Sequence, residues 1–168
     1  MKLRWAGLAA LLAALAGCGG GSANQGSDAN SVSKALVHSA FVDRADRICT
    51  EGRKRLILTG NRYFGDLAAE QKPSDAAVSA FAQREAIPIL RHQYAKLRRL
   101  TPPPGDEKAI GRILDLADAG IRQLQADPTL LNRGSGIPPA LEKARNRAYL
   151  YGLGACGQQL QAPSGRGR

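Results

Sequence analysis

Apolar and polar positions along this chain recur with the period of α-helices in four stretches, and each stretch is closed by strong breakers. Between about Ser39 and Tyr63 the apolar or small residues Val42, Ala45, Cys49, Gly52, Leu56 and Tyr63 stand three, four or seven apart, with Phe41 and Ile48 widening the stripe. Arg44, Arg47, Glu51, Arg53 and Lys54 lie opposite and predict a solvated side. From Asp75 to Leu100 the seam reads Ala76, Ala80, Ile87, Leu90, Tyr94 and Leu97. Pro88 interrupts it, and a missing amide plus a ring clash predict a kink near Ala86 or two abutting helices. A third helix, to about Ala126, carries Ile110, Leu114, Ala117, Ile121 and Leu124; a fourth carries Ile137, Leu141, Ala144, Ala148, Tyr151 and Ala155.

The breakers agree with these limits. Gly65 to Pro73 reads as a connection, and Ser74 with Asp75 offers an N-cap. Thr101-Pro102-Pro103-Pro104-Gly105 is a stop, after which Asp106 and Glu107 suit a helix N-terminus. Asp127 to Gly136 is a loop, and Pro138 and Pro139 fit a first helical turn, where a missing amide costs nothing. Gly152, Gly154 and Gly157 weaken the end of the last helix and would let two backbones approach closely. No segment alternates with period two. The expected fold class is all-α, an antiparallel up-down-up-down four-helix bundle over residues 37–160 with its second helix kinked at Pro88.

The N-terminus follows a different rule. Lys2 and Arg4 precede an apolar run from Leu8 to Ala16, far shorter than the roughly 20 residues that span a bilayer. It closes on Leu15-Ala16-Gly17-Cys18, which resembles the lipobox of bacterial lipoproteins; the resemblance covers about the first 18 residues. It implies a signal peptide over residues 1–17, cleavage before Cys18, and a diacylglyceryl group, with palmitate-type acyl chains, on the Cys18 sulfur. Two acyl chains suffice for stable attachment. The implied location is the extracytoplasmic face of the cell membrane, with membrane lipid as a partner through Cys18. Residues 18–36 then form a tether rich in Gly, Ser, Asn and Ala, which at random-coil dimensions holds the domain about 20 Å from the lipid. Residues 161–168 read as a frayed tail.

Cysteine arithmetic depends on that resemblance. Three cysteines leave an odd thiol in an exported protein; assigning Cys18 to lipid leaves Cys49 and Cys156, expected to form a disulfide between the first and last helices. The alternatives are two buried free thiols or a metal site, for which two cysteines without neighbouring histidines are poor ligands. Closing a loop of this length could be worth up to about 4.7 kcal/mol.

Charge narrows the choice of partners. The chain carries a formal +10, and removal of residues 1–17 takes Lys2 and Arg4 with it, leaving 22 basic against 14 acidic side chains. A field of that sign favours anionic lipid or wall polymer. Export argues against nucleic acid, and Trp5, the sole indole, lies in the signal. On the second helix Arg84, Arg91 and Arg98 stand seven apart and, with Arg99, Lys96 and His92, form a candidate anion-binding stripe. The competing reading lays these stems on the core and pairs them with acids of the next helix.

Catalytic motifs are scarce. His38 and His92 have no metal-ligand spacing around them, so no metal and no cofactor are expected. Ser135 between Gly134 and Gly136 has a loop composition without the strand-to-helix setting of a nucleophile elbow. Asp43 with Asp46, and Asp115 with Asp118, stand three apart as acid/base pairs might, yet Arg47 and Arg122 lie at helical reach and exposed ion pairs account for them. The expectation is a non-catalytic binding or interaction module of the cell envelope, acting on anionic lipid, wall polymer or an envelope protein. The alternatives are a small-ligand receptor with an interhelical pocket near Pro88, and an envelope hydrolase.

Overall fold

The helical periods become helices over most of their length. A computed structural model describes residues 25–67, 71–133 and 136–158, and those residues are helical with no strand. The elements are α1 (Gln25–Phe64), α2 (Asp75–Phe81), a π-helical turn (Ala82–Ala86), α3 (Ile87–Arg98), α4 (Glu107–Ala126), a 3₁₀ turn (Pro128–Asn132), α5 (Pro139–Tyr151) and the single-turn α6 (Gly154–Gly157). The signal, Cys18, Ser135 and the tail lie outside the described residues.

Helix α4 follows its sequence pattern closely. Ile110, Leu114, Ala117, Ile121 and Leu124 are all buried, joined by Ile113 and Gly120. Gly120 permits the contact with α5: a Cβ there would stand 2.5 Å from the Leu141 amide nitrogen and Cβ. On α5, Leu141, Ala144 and Ala148 complete the same interface. Pro139 is the first residue of α5, as its missing amide allows.

The second stretch corrects the continuous seam. Ser74 caps α2, its Oγ accepting from the Ala77 amide at 3.2 Å, but Ala76 is exposed and Val78, Phe81 and Ala82 are buried instead. The π-turn is the reason. Pro88 has no amide to give the Arg84 carbonyl, and one residue earlier the Ile87 N–H reaches back five residues to Ala82. The widened turn rotates everything downstream, so Ile87, Ile89, Leu90, Tyr94 and Leu97 form the buried face of α3. The break near Ala86 was legible; the change of phase was not.

Two further expectations change. Helix α1 begins at Gln25, inside the segment read as a flexible tether, and residues 31–37 are exposed on it. Its few large apolar residues, Val32, Leu36 and Val37, are all exposed, so no buried face announces the helix there. At about 1.5 Å per residue α1 is roughly 60 Å long, yet no helix among the described residues is long and apolar enough to cross a membrane. Tyr63, placed on the apolar stripe, is exposed at 38% and stacks its ring on Phe64 and Phe81.

The last helix does not run unbroken to residue 160. Gly152 adopts φ +103°, the left-handed region open to glycine, and ends α5. Its amide bonds the Tyr149 carbonyl at 3.0 Å, and the amide of the buried Leu153 bonds the Ala148 carbonyl at 2.9 Å. The chain turns and presents Cys156 from α6. Asp46 on α1 receives this turn, its Oδ1 accepting from the amides of Ala155 (2.9 Å) and Cys156 (3.4 Å). Cys49 and Cys156 are bonded, with Cα atoms 5.0 Å apart and a separation of 107 along the sequence. Gly157 is the close approach that the terminal glycines suggested: a Cβ there would stand 2.5 Å from that of Tyr149. Contacts run from α1 to α3, α3 to α4 and α4 to α5, and α6 returns to α1.

Candidate functional site

The arginine stripe is not a single surface. Arg98 on α3 is bonded to both Asp115 (3.3 Å) and Asp118 of α4. The carboxylate pair is engaged in ion pairs, as expected, but with Arg98 across a helix interface and not with Arg122 of its own helix; Arg98 follows the competing reading, in which a flank arginine pairs with acids of the next helix. Asp46, the other acid set aside as an ion pair, caps α6 instead. Arg84, in the π-turn, Arg91 on α3 and Arg99 at its C-terminal end are exposed, with no ion pair among the described residues. They remain available to an anion, but Arg98 no longer links them.

A groove between α1 and α3 gathers cationic side chains more closely. It has a volume of about 140 Å³ and is open to solvent. Arg55 comes from α1, and His92 and Lys96 come from α3. Lys96 also pairs with Glu51 at 3.5 Å. Ile48 and Ile89 supply apolar walls. The groove depends on Gly52, because a Cβ there would fall 1.8 Å from Gln93 Oε1, while the Gln93 amide nitrogen donates to Cys49 Sγ at 3.4 Å. Gln93 thus fills the space left by Gly52 and lies against the disulfide.

A second polar cluster joins three elements. Tyr151, at the end of α5, donates its hydroxyl to Asp106 Oδ2 at 2.7 Å, and His38 Nδ1 of α1 lies 3.3 Å from that hydroxyl and 3.4 Å from Asp106 Oδ2. The Tyr151 hydroxyl, and then His38, hold the Asp106 carboxyl below the usual carboxylate range. Burial, and then the Asp106 bond, push the Tyr151 hydroxyl well above its ordinary value. Asp106 was read as a favourable charge at the start of α4, but its side chain makes no capping bond and serves the cluster. Phe41 packs edge-on against Tyr151 and closes the cluster from the core side. Sequence gave no signal for this site, whose members are 68, 45 and 113 positions apart.

Comparison with protein families, curated proteins and solved structures finds no match.

The remaining chemistry is buried. Arg145 on α5 is only 7% exposed, and its Nη2 has no hydrogen-bond partner among the described residues. Burial lowers its pKa, and burial likewise pushes the Tyr94 hydroxyl up to about 12. Both border an almost wholly apolar cavity of about 20 Å³ among Phe41, Ala45, Leu114 and Leu153. That space admits about one water-sized occupant, and apolar cavities of this kind stay dry. It does not border Pro88, where an interhelical ligand pocket was expected.

Proposed function

We propose that this protein is an exported lipoprotein of a bacterial cell envelope, anchored through acylated Cys18 on the extracytoplasmic face of the membrane, whose helical domain binds anionic envelope components. In this reading α1, the α2–α3 pair, α4 and α5 act as an up-down-up-down bundle, with the first and last helices joined through α6. The observation that carries the proposal is the Cys49–Cys156 bond. It uses two of three thiols and leaves Cys18, in its Leu-Ala-Gly-Cys setting, for lipid. A bond of this kind also suits an oxidising compartment.

Binding is favoured over catalysis by the placement of the polar groups. The His38–Asp106–Tyr151 side chains engage one another and line neither of the two cavities described above. Exposed cations without an ion pair among the described residues are available by contrast at Arg84, Arg91 and Arg99, and at Arg55 in the α1–α3 groove. Each is worth about 1 kcal/mol near an anionic lipid surface.

The test has two arms. Intact-mass measurement on protein extracted from membranes is expected to show an acylated N-terminal Cys18, and Cys18→Ser is expected to move the protein to the soluble fraction. The processed Cys18→Ser protein is expected to bind phosphatidylglycerol vesicles with an affinity that falls steeply with salt. An unmodified Cys18 refutes the anchor, and salt-independent or absent vesicle binding refutes the anionic partner.

A further inference from the structure

We infer that the groove between α1 and α3 is a binding site for a singly charged phosphodiester group. The inference rests on the anionic-partner reading above and gives it a place and a chemical class. Three residues with donor groups line the groove: Arg55, Lys96 and His92, whose imidazole as a whole has at least one N–H. Arg55 and His92 make no ion pair among the described residues, and Lys96 is shared with Glu51 at 3.5 Å. The groove therefore carries two full positive charges and one negative charge, and its uncompensated charge is one. A phosphodiester carries one negative charge; a phosphomonoester near neutrality carries close to two.

Shape points the same way. A phosphodiester continues through carbon on both sides, and a groove open to solvent lets both substituents leave. Ile48 and Ile89 can cover the carbons beside the ester oxygens, while the guanidinium forks onto the two unesterified oxygens. The volume of about 140 Å³ suits one such group with its flanking carbons.

The backbone is arranged to keep the groove open. A side chain at position 52 would drive Gln93 from its place over the disulfide and into this space, and glycine prevents that. Gln93, which lines the groove, is held by its hydrogen bond to Cys49 Sγ, and Cys49 is in turn tied to Cys156. Helices α1 and α3 pack against each other through the common core, which sets the spacing of the backbones that carry Arg55 and His92, so part of the ordering cost of binding is met before the ligand arrives.

Calorimetric titration of the processed Cys18→Ser protein with glycerophosphoglycerol tests the site. Saturable binding in the millimolar range is expected, with inorganic phosphate and sulfate at least threefold weaker. Arg55→Gln is expected to weaken the diester at least fivefold, and Arg55→Gln with His92→Asn to abolish saturation. Both are surface changes, and circular dichroism will confirm that the fold persists. Absence of saturable diester binding, or variants that bind like the parent, overturns the inference. Phosphatidylglycerol and phosphatidylcholine vesicles form the second arm. Competition between free diester and phosphatidylglycerol vesicles identifies a lipid headgroup as the source; diester binding without vesicle binding supports the site and assigns the phosphate to a soluble or polymeric source. Groove variants that keep full, salt-dependent vesicle binding overturn the groove and leave the broader reading standing.

Discussion

Helices α1 and α4 are the two longest among the described residues, and they are held in opposite ways. In α4, 20 residues provide seven buried positions in a continuous apolar face, closed against α5 where Gly120 meets Leu141. In α1, 40 residues provide Phe41, Ala45 and Cys49, a single line of three buried side chains four apart among those described. What α1 lacks in burial it replaces by specific links: the disulfide, the Asp46 bonds to α6, and the His38 contact to Asp106 and Tyr151. Length alone is therefore no measure of how firmly a helix is held. The core of α4 fixes the domain, and a few point attachments fix α1 to it.

The comparison can be broken most severely at the sulfur atoms. Replacing both Cys49 and Cys156 by Ala is expected to cost about 2–5 kcal/mol in urea unfolding. Amide exchange should then accelerate selectively in α1 and α6; equal acceleration in α4 would show that α1 is not separately attached. Gly120→Ala addresses the other side. The added Cβ meets the backbone of α5, so a loss of about 1–3 kcal/mol is expected, with exchange rising across the whole domain. Asp46→Ala removes two bonds to α6, and a loss of about 1 kcal/mol is expected, read by amide protection of Ala155 and Cys156.

The smallest effect concerns pH. Asp106 has a lowered pKa in the folded protein, so its contribution is present above the unfolded value of about 3.9 and is lost as pH falls through the lower folded value. Tyr151 has a raised pKa, so its contribution is present below about 10 and is lost as pH rises beyond it. Tyr151→Phe is expected to cost roughly 0.5–1 kcal/mol at neutral pH and to shrink the acid limb of a stability-against-pH curve. The alkaline limb should persist in part, because Tyr94 independently titrates at about 12. An acid limb unchanged by Tyr151→Phe would remove the cluster from the set of α1 attachments.

What was legible in the chain follows the same division. Helix α4 could be read residue by residue, because burial on one face of a regular helix imposes the period that periodicity detects. The Cys49–Cys156 bond was reached by elimination, through the lipobox resemblance, and not by geometry. Helix α1 was read from Ser39, where its apolar face begins, and its exposed start was not. The π-turn before Pro88 shifted the phase of the buried positions, which a fixed heptad cannot follow. The break at Gly152 depends on a backbone angle, and the heptad through Tyr151 and Ala155 passed over it. Arg98, the groove and the His38–Asp106–Tyr151 cluster are assembled between helices from residues that carry no motif, so only their positions in space reveal them.

The bond between residues 49 and 156 encloses α2 through α5 together with the connections between them. A protease that cuts one of those connections, for example beside Lys72 or Arg133, severs the main chain without separating its parts. The two fragments migrate as one until a reductant is added, so under oxidising conditions the molecule can be clipped internally and still stay in one piece.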